Sequence, residues 1–127
     1  MKLNYDCIRA ILLTLESYPY DYECDIDQLY SDIPKFSKEE IQYCTCKLYD
    51  INYIEGFVFT ADGCSPYVSS ISDITFAGHE FLNSIREPEI WKKTKNIASE
   101  IGAISISTIS QIASGIFKEL IFKYFNF

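Results

Sequence analysis

The chain has 127 residues, 48% of them apolar, and a formal net charge of −7, which is enough for one packed domain with an appendage and too little for several. The charge is uneven: residues 1–85 carry five basic and fourteen acidic side chains, a balance of −9, and residues 86–127 carry six basic and four acidic, a balance of +2. A surface of that sign argues against a nucleic-acid reader, because Lys and Arg contacts to phosphate supply most of such a protein's affinity.

Taken in chain order, Asn4 to Tyr18 reads as a helix. Cys7, Ile8, Ile11, Leu12 and Leu15 recur on one face, Asn4 stands at the N-cap, and Pro19 ends the helix. The acidic, aromatic stretch from Tyr20 to Asp32 is expected to hold a short extended piece near Cys24–Ile26 and a helical turn near Asp27–Tyr30. It lacks the glycine and closing glutamate of a calcium loop and reads as a solvated surface. Ser37 to Ile51 carries the clearest helix signal, a capping box of Ser37 and Glu40 followed by Ile41, Cys44, Leu48 and Ile51 on one side. Ile54–Thr60 and Ile71–Thr75 have strand composition on either side of a D-G and S-P loop, so an antiparallel hairpin is expected. Phe76–Arg86 returns to helical spacing, with Phe81, Leu82 and Ile85 inward. Pro88 opens a helix to Ile101 with Trp91 and Ile97 on its apolar side, closed by Gly102. In the last segment Ile104, Ser105 and Ile109 fit a hydrophobic staple before a long helix, although the alternation at Ile104 and Ile106 also permits a short strand.

Helix, short helix, capped helix and hairpin, in that order, point to a mostly helical α+β chain: a winged-helix domain over residues 1–87 and a C-terminal helical extension over residues 88–127. The opening MKLNYDCIRAILLTLES, the phrase LYDINYIEG and the run ITFAGHEFLNSIREPEIWKKTKNIA resemble the uncharacterised family called domain of unknown function 2513. Within that run the matching positions are Gly78, His79, Glu80, Phe81, Leu82, Arg86, Trp91 and Lys95. The resemblance covers nearly the whole chain, least well over its last twenty residues. It implies a winged-helix fold and a phage or prophage setting, and it brings no activity and no catalytic residues.

Chemistry-bearing residues are sparse. His79 and Glu80 are adjacent and point about 100° apart on a helix, and no motif places a nucleophile beside them, so a structural histidine is expected and no catalytic residue is assigned. Cys44 and Cys46, two apart on a helix, and the lone His79 make poor zinc geometry, so neither metal nor cofactor is expected. Five cysteines without an apolar leader after Lys2 point to free thiols in a reducing cytoplasm.

The capped helix stands where a recognition helix would, with Lys38, Glu39, Gln42, Tyr43, Thr45, Lys47 and Tyr49 expected outward and Asp50 near its end. It carries a net charge of −1, and the loop ADGCSPYVSS carries no base. Gln42 alone suits base readout. The leading expectation is therefore a non-enzymatic protein-interaction module, with a candidate surface of Gln42, Tyr43, Lys47, Tyr20, Tyr22 and Tyr30. The alternative is a DNA-binding regulator of the winged-helix class. Tyr18, Tyr20, Tyr22 and Tyr30, set among acids, are expected exposed, and Phe57, Phe59, Phe76 and Phe81 are expected in the core. The uncharged run 101–117 holds five Ser or Thr and a Gln, and lysines follow it, which disfavours a membrane span. The stripe Ile109, Ile112, Ile116, Leu120 and Tyr124 is expected to mediate self-association.

Overall fold

The computed structural model describes residues 1–102 and 105–125. Among them the element order is α1 (Tyr5–Glu16), β1 (Cys24–Asp25), α2 (Ile26–Asp32), α3 (Lys38–Asp50), β2 (Ile54–Phe59), β3 (Tyr67–Ile74), α4 (Phe76–Ile85), α5 (Pro88–Ile101) and α6 (Ile106–Phe125). The chain is thus mixed α+β and mostly helical, with one three-stranded antiparallel sheet ordered β1-β3-β2. It divides into two compact units, Met1–His79 and Glu80–Phe127, with the division inside α4; the sequence had suggested a boundary at 87/88.

The first unit forms where the sequence carries start and stop signals. Asn4 caps α1, its side chain accepting from the Cys7 amide at 3.2 Å. Ser37 caps α3, accepting from the Glu40 amide at 3.1 Å. Most residues of the expected apolar stripes face inward: Ile8, Ile11 and Leu12 of α1, and Ile41, Cys44 and Leu48 of α3, are buried together with Leu29, Ile54 and Ile71, whereas Leu15 is half-buried and Ile51, just past the end of α3, is exposed. Each large apolar side chain so removed from water contributes roughly 1.5–3 kcal/mol.

Thr45, expected to point outward, is fully buried. It stands four residues after Ile41 on the same stripe, and its hydroxyl donates to the Ile41 carbonyl at 2.8 Å, which satisfies it without water. All five cysteines are free thiols.

The hairpin pairs as expected, Ile54 with Ile74 and Phe59 with Tyr67, with two register shifts. β3 begins at Tyr67, four residues before the expected start, and its middle also pairs with β1, Cys24 facing Ile71. Two glycines are fixed by close backbone approach. A Cβ on Gly56 would lie 2.3 Å from the Ser70 carbonyl oxygen, and one on Gly78 would lie 2.2 Å from that of Tyr53. Gly78 sits in the first turn of α4, where Thr75 closes the junction. The Thr75 hydroxyl donates to the Asn52 carbonyl at 2.6 Å and accepts from the Gly78 amide at 3.1 Å.

In the second unit, Pro88 occupies the first turn of α5, and Gly102, at φ 74°, ends it in the left-handed region that glycine favours. Ile90, Trp91, Thr94 and Ala98 form the buried side of α5, while Ile97, expected among them, is exposed. Ser105 caps α6, its hydroxyl accepting from the Thr108 amide at 3.1 Å. Ile106 is helical, and Ile104, the proposed staple residue, lies outside the described residues. α5 and α6 pack on each other. No helix among the described residues is long and apolar enough to cross a membrane.

Candidate functional site

α3, β2 and β3 place the residues singled out from the sequence, and they treat them differently. Gln42 is half-buried and spent internally. Its Nε2 donates to the Val68 carbonyl at 2.7 Å and to the Tyr30 hydroxyl at 3.0 Å, and its Oε1 accepts from the Val68 amide at 3.0 Å. An amide held at both ends ties α3 to β3 and has little left for a base edge or an outside partner.

Tyr30 is accordingly half-buried, and burial, its largest influence, pushes its phenol up to about 12. Tyr43 is half-buried and Lys47 exposed. The Lys47 ammonium lies 5.3 Å from the centre of the Tyr43 ring and 3.9 Å from the Asp50 carboxylate. Lys38 lies 5.6 Å from the centre of the Tyr30 ring. Both lysines of α3 therefore already have partners on the fold's own surface.

Among the tyrosines of the acidic loop, Tyr20 and Tyr22 are exposed. Tyr18 is half-buried, its ring centre 4.7 Å from that of Tyr22 and its hydroxyl donating to Asp32. Burial, then that hydrogen bond, raises the Tyr18 phenol well above its ordinary range. His79 is half-buried at the first turn of α4, its amide donating to the Thr75 carbonyl at 2.9 Å, and Glu80 is exposed. Among the described residues, no group of three or more His, Cys, Asp or Glu is arranged to hold a metal ion.

The largest departure from expectation is on the hairpin. Phe57 and Phe59 are 61% and 64% exposed, their neighbour Tyr67 is 46% exposed, and Phe76 is 80% exposed; of the four phenylalanines expected inside, Phe81 alone is buried. The physical reason is strand parity. Ile54 faces the core, so residues 55, 57 and 59 face outward. The signal was present in Glu55, whose charge fixes the outward phase that Phe57 and Phe59 then share. Phe59 and Tyr67 are cross-strand partners, which sets two aromatic side chains next to each other on this face. Phe76 opens α4, off the stripe of Phe81, Leu82 and Ile85.

In α6, Ile109 and Ala113 are buried and Ile112 and Ile116 half-buried. Phe117, Leu120, Ile121, Phe122, Tyr124 and Phe125 are exposed. Of the stripe expected to self-associate, Ile109 thus belongs to the interior, and the open apolar surface lies in the second half of the helix. There Ile90 of α5 and Phe117, Leu120 and Ile121 line a groove of about 550 Å³.

The run GHEFL, which contains the glycine that lets α4 approach Tyr53, lies inside the region that a family model matches. That model, described as "Hypothetical protein (DUF2513)", covers residues 2–105, so the whole of α6 lies beyond it. A relative from Haemophilus influenzae (strain ATCC 51907 / DSM 11121 / KW20 / Rd), titled "Uncharacterized protein", is 30% identical over 122 residues, 95% of this chain and 99% of the relative. No solved structure gives a significant match. With the family model spanning most of the sequence and a relative aligned almost end to end, the chain belongs to the DUF2513 family.

Proposed function

We propose that residues 1–79 form a winged-helix module that binds protein and performs no chemistry of its own. The element order α1-β1-α2-α3-β2-β3, with the short first strand paired to the last, supports the winged-helix assignment. α3 takes the recognition position and the β2/β3 hairpin is the wing. The phage or prophage setting implied by the family resemblance belongs to the same proposal.

One observation carries the choice of partner: the wing offers Phe57, Phe59 and Tyr67 to solvent on a unit with five basic and thirteen acidic residues, a balance of −8. Exposed aromatic clusters favour protein contacts, because they add apolar area at low side-chain entropy cost. A wing that gripped phosphate would carry Lys or Arg, and residues 54–74 contain neither.

Two assays separate this reading from a DNA-binding regulator. Duplex DNA titrated at physiological salt is expected to show nothing tighter than roughly micromolar, the level of non-specific association. Affinity capture from the cells that naturally make the protein is expected to retain a protein with the native chain and lose it with Phe57→Ser/Phe59→Ser. Nanomolar, sequence-selective duplex binding would transfer the assignment to the regulator.

A further inference from the structure

Within residues 1–79 a cavity of about 390 Å³ opens between the last turn of α1, the 18–22 loop and the strands β2 and β3. Its walls are of three kinds. Leu15, Ile71 and Ile74 supply apolar surface; Tyr18 and Tyr22, whose ring centres lie 4.7 Å apart, supply aromatic surface. Glu16, Asp21, Glu55 and Asp73 supply carboxylates, His79 supplies an imidazole, and neither lysine nor arginine is among the lining residues.

Two of these carboxylates stand in an unfavourable relation. Glu55 and Asp73 are direct cross-strand partners in the β2/β3 ladder. Like charges placed opposite each other on adjacent strands destabilise a sheet. Among the described residues no ion pair joins a cation to Glu55, Asp73 or Asp21. The like-charge pair therefore stands at the edge of a concave, partly aromatic pocket with no ion pair among the described residues to offset it.

We propose that this cavity receives the side chain of an arginine presented by a protein partner. The proposal rests on the protein-binding reading and names the chemistry of the partner's contact. A guanidinium fits all three walls at once. Its methylene stem covers apolar surface, its plane stacks on tyrosine, and its fork of N–H donors matches carboxylates at short range. A lysine ammonium supplies the charge without the planar fork, and binds less well. Glu55 and Asp73 are the charge-bearing residues, Tyr22 is the stacking surface, and binding relieves the repulsion between the two strands.

The test is an amide-resolved NMR titration of the full chain with three probes: acetyl-Ala-Arg-Ala-amide and its lysine and citrulline counterparts. The arginine peptide is expected to shift the amides of Tyr22, Ile71, Asp73 and His79 saturably, the lysine peptide more weakly, and the citrulline peptide not at all. Glu55→Gln and Asp73→Asn are each expected to weaken arginine binding by roughly tenfold, the scale of one charge-assisted contact. Both variants should melt no lower than the native chain, because each removes the cross-strand repulsion. A merely structural pair of carboxylates would give lower melting without a binding defect. Equal shifts with citrulline, equal affinity for lysine, shifts confined to other surfaces, or no saturation by about 10 mM peptide would each overturn the proposal. The capture assay reads the aromatic wing and this titration reads the cavity, so failure of the one is distinguishable from failure of the other.

Discussion

Gln42 of α3 grips Val68 of β3 at both ends of its amide, Nε2 donating to the Val68 carbonyl at 2.7 Å and Oε1 accepting from the Val68 amide at 3.0 Å. α3 is thereby fixed to β3 by a side chain that imitates a strand partner. Gln42→Ala leaves both backbone groups without this partner and is expected to cost about 1–3 kcal/mol in urea unfolding. Gln42→Glu removes the Nε2 donor and sets a carboxylate against the Val68 carbonyl, and is expected to cost at least as much. Base-reading glutamines are dispensable to their own fold, so a stability loss here separates the two roles.

Gly78→Ala is expected to destabilise the chain by roughly 1–3 kcal/mol, the usual range for forcing a methyl into packed structure. The added carbon would meet the Tyr53 carbonyl oxygen at 2.2 Å, and that oxygen also accepts from the Thr75 amide at 3.0 Å. Gly115→Ala is the internal control. Nothing lies within 4 Å of a Cβ at this helical position, so the substitution is expected to stabilise by about 0.5–1 kcal/mol. Thermal melts of both variants check the pair.

The Tyr30 phenol is held up to about 12 by burial, against an unfolded value of 10.0. Between those values the folded chain keeps a proton that the unfolded chain releases, so folding stability is whole below pH 10 and falls as pH rises toward 12. Tyr30→Phe is expected to flatten part of that decline in urea unfolding followed from pH 9 to 12, and to lower stability slightly at neutral pH through loss of the Gln42 hydrogen bond. An unchanged alkaline slope would contradict the burial of this phenol.

The second half of α6 is proposed to pair with a second copy of itself, since Phe117, Ile121, Phe122 and Phe125 leave a continuous apolar surface open. Light scattering is expected to show a dimer at tens of micromolar. Phe117→Asp with Ile121→Asp, both at exposed positions, is expected to give a folded monomer. A monomeric native chain at that concentration would remove the proposal, and co-sedimentation with lipid vesicles would replace it with an interfacial helix.

Much of the architecture was legible because it is written in local signals. Asn4, Ser37, Pro88 and Gly102 mark helix ends through hydrogen-bonding capacity or backbone freedom, and those ends stand within a residue or two of where the sequence puts them. β3 starts earlier than expected because the D-G and S-P turn signals precede Tyr67 closely and mask the strand, whose extended form is set by pairing with β2 and β1, which no local signal reports. Thr45 was misplaced because a hydroxyl looks outward until its carbonyl partner is known. Gln42 was read as a surface group for the same reason: its partner lies twenty-six residues away. Phe57 and Phe59 were misplaced because aromatic composition suggests a core, while strand parity, fixed by Glu55, places them outside. The cavity was invisible, since the 18–22 loop, Glu55 and Asp73 meet only in the folded chain.

The most direct measurement places a photo-crosslinker on the β2/β3 hairpin, the proposed wing. The chain carrying Phe59→p-benzoylphenylalanine is produced in the cells that naturally make it and irradiated, and the adducts are treated separately with protease and with nuclease. The expected result is a discrete adduct that resists nuclease, disappears with protease, and is lost when Phe57→Ser is added. An adduct trimmed by nuclease, or crosslinking that fails at residue 59 and yields DNA adducts from residue 47 on α3, would contradict a protein-binding wing.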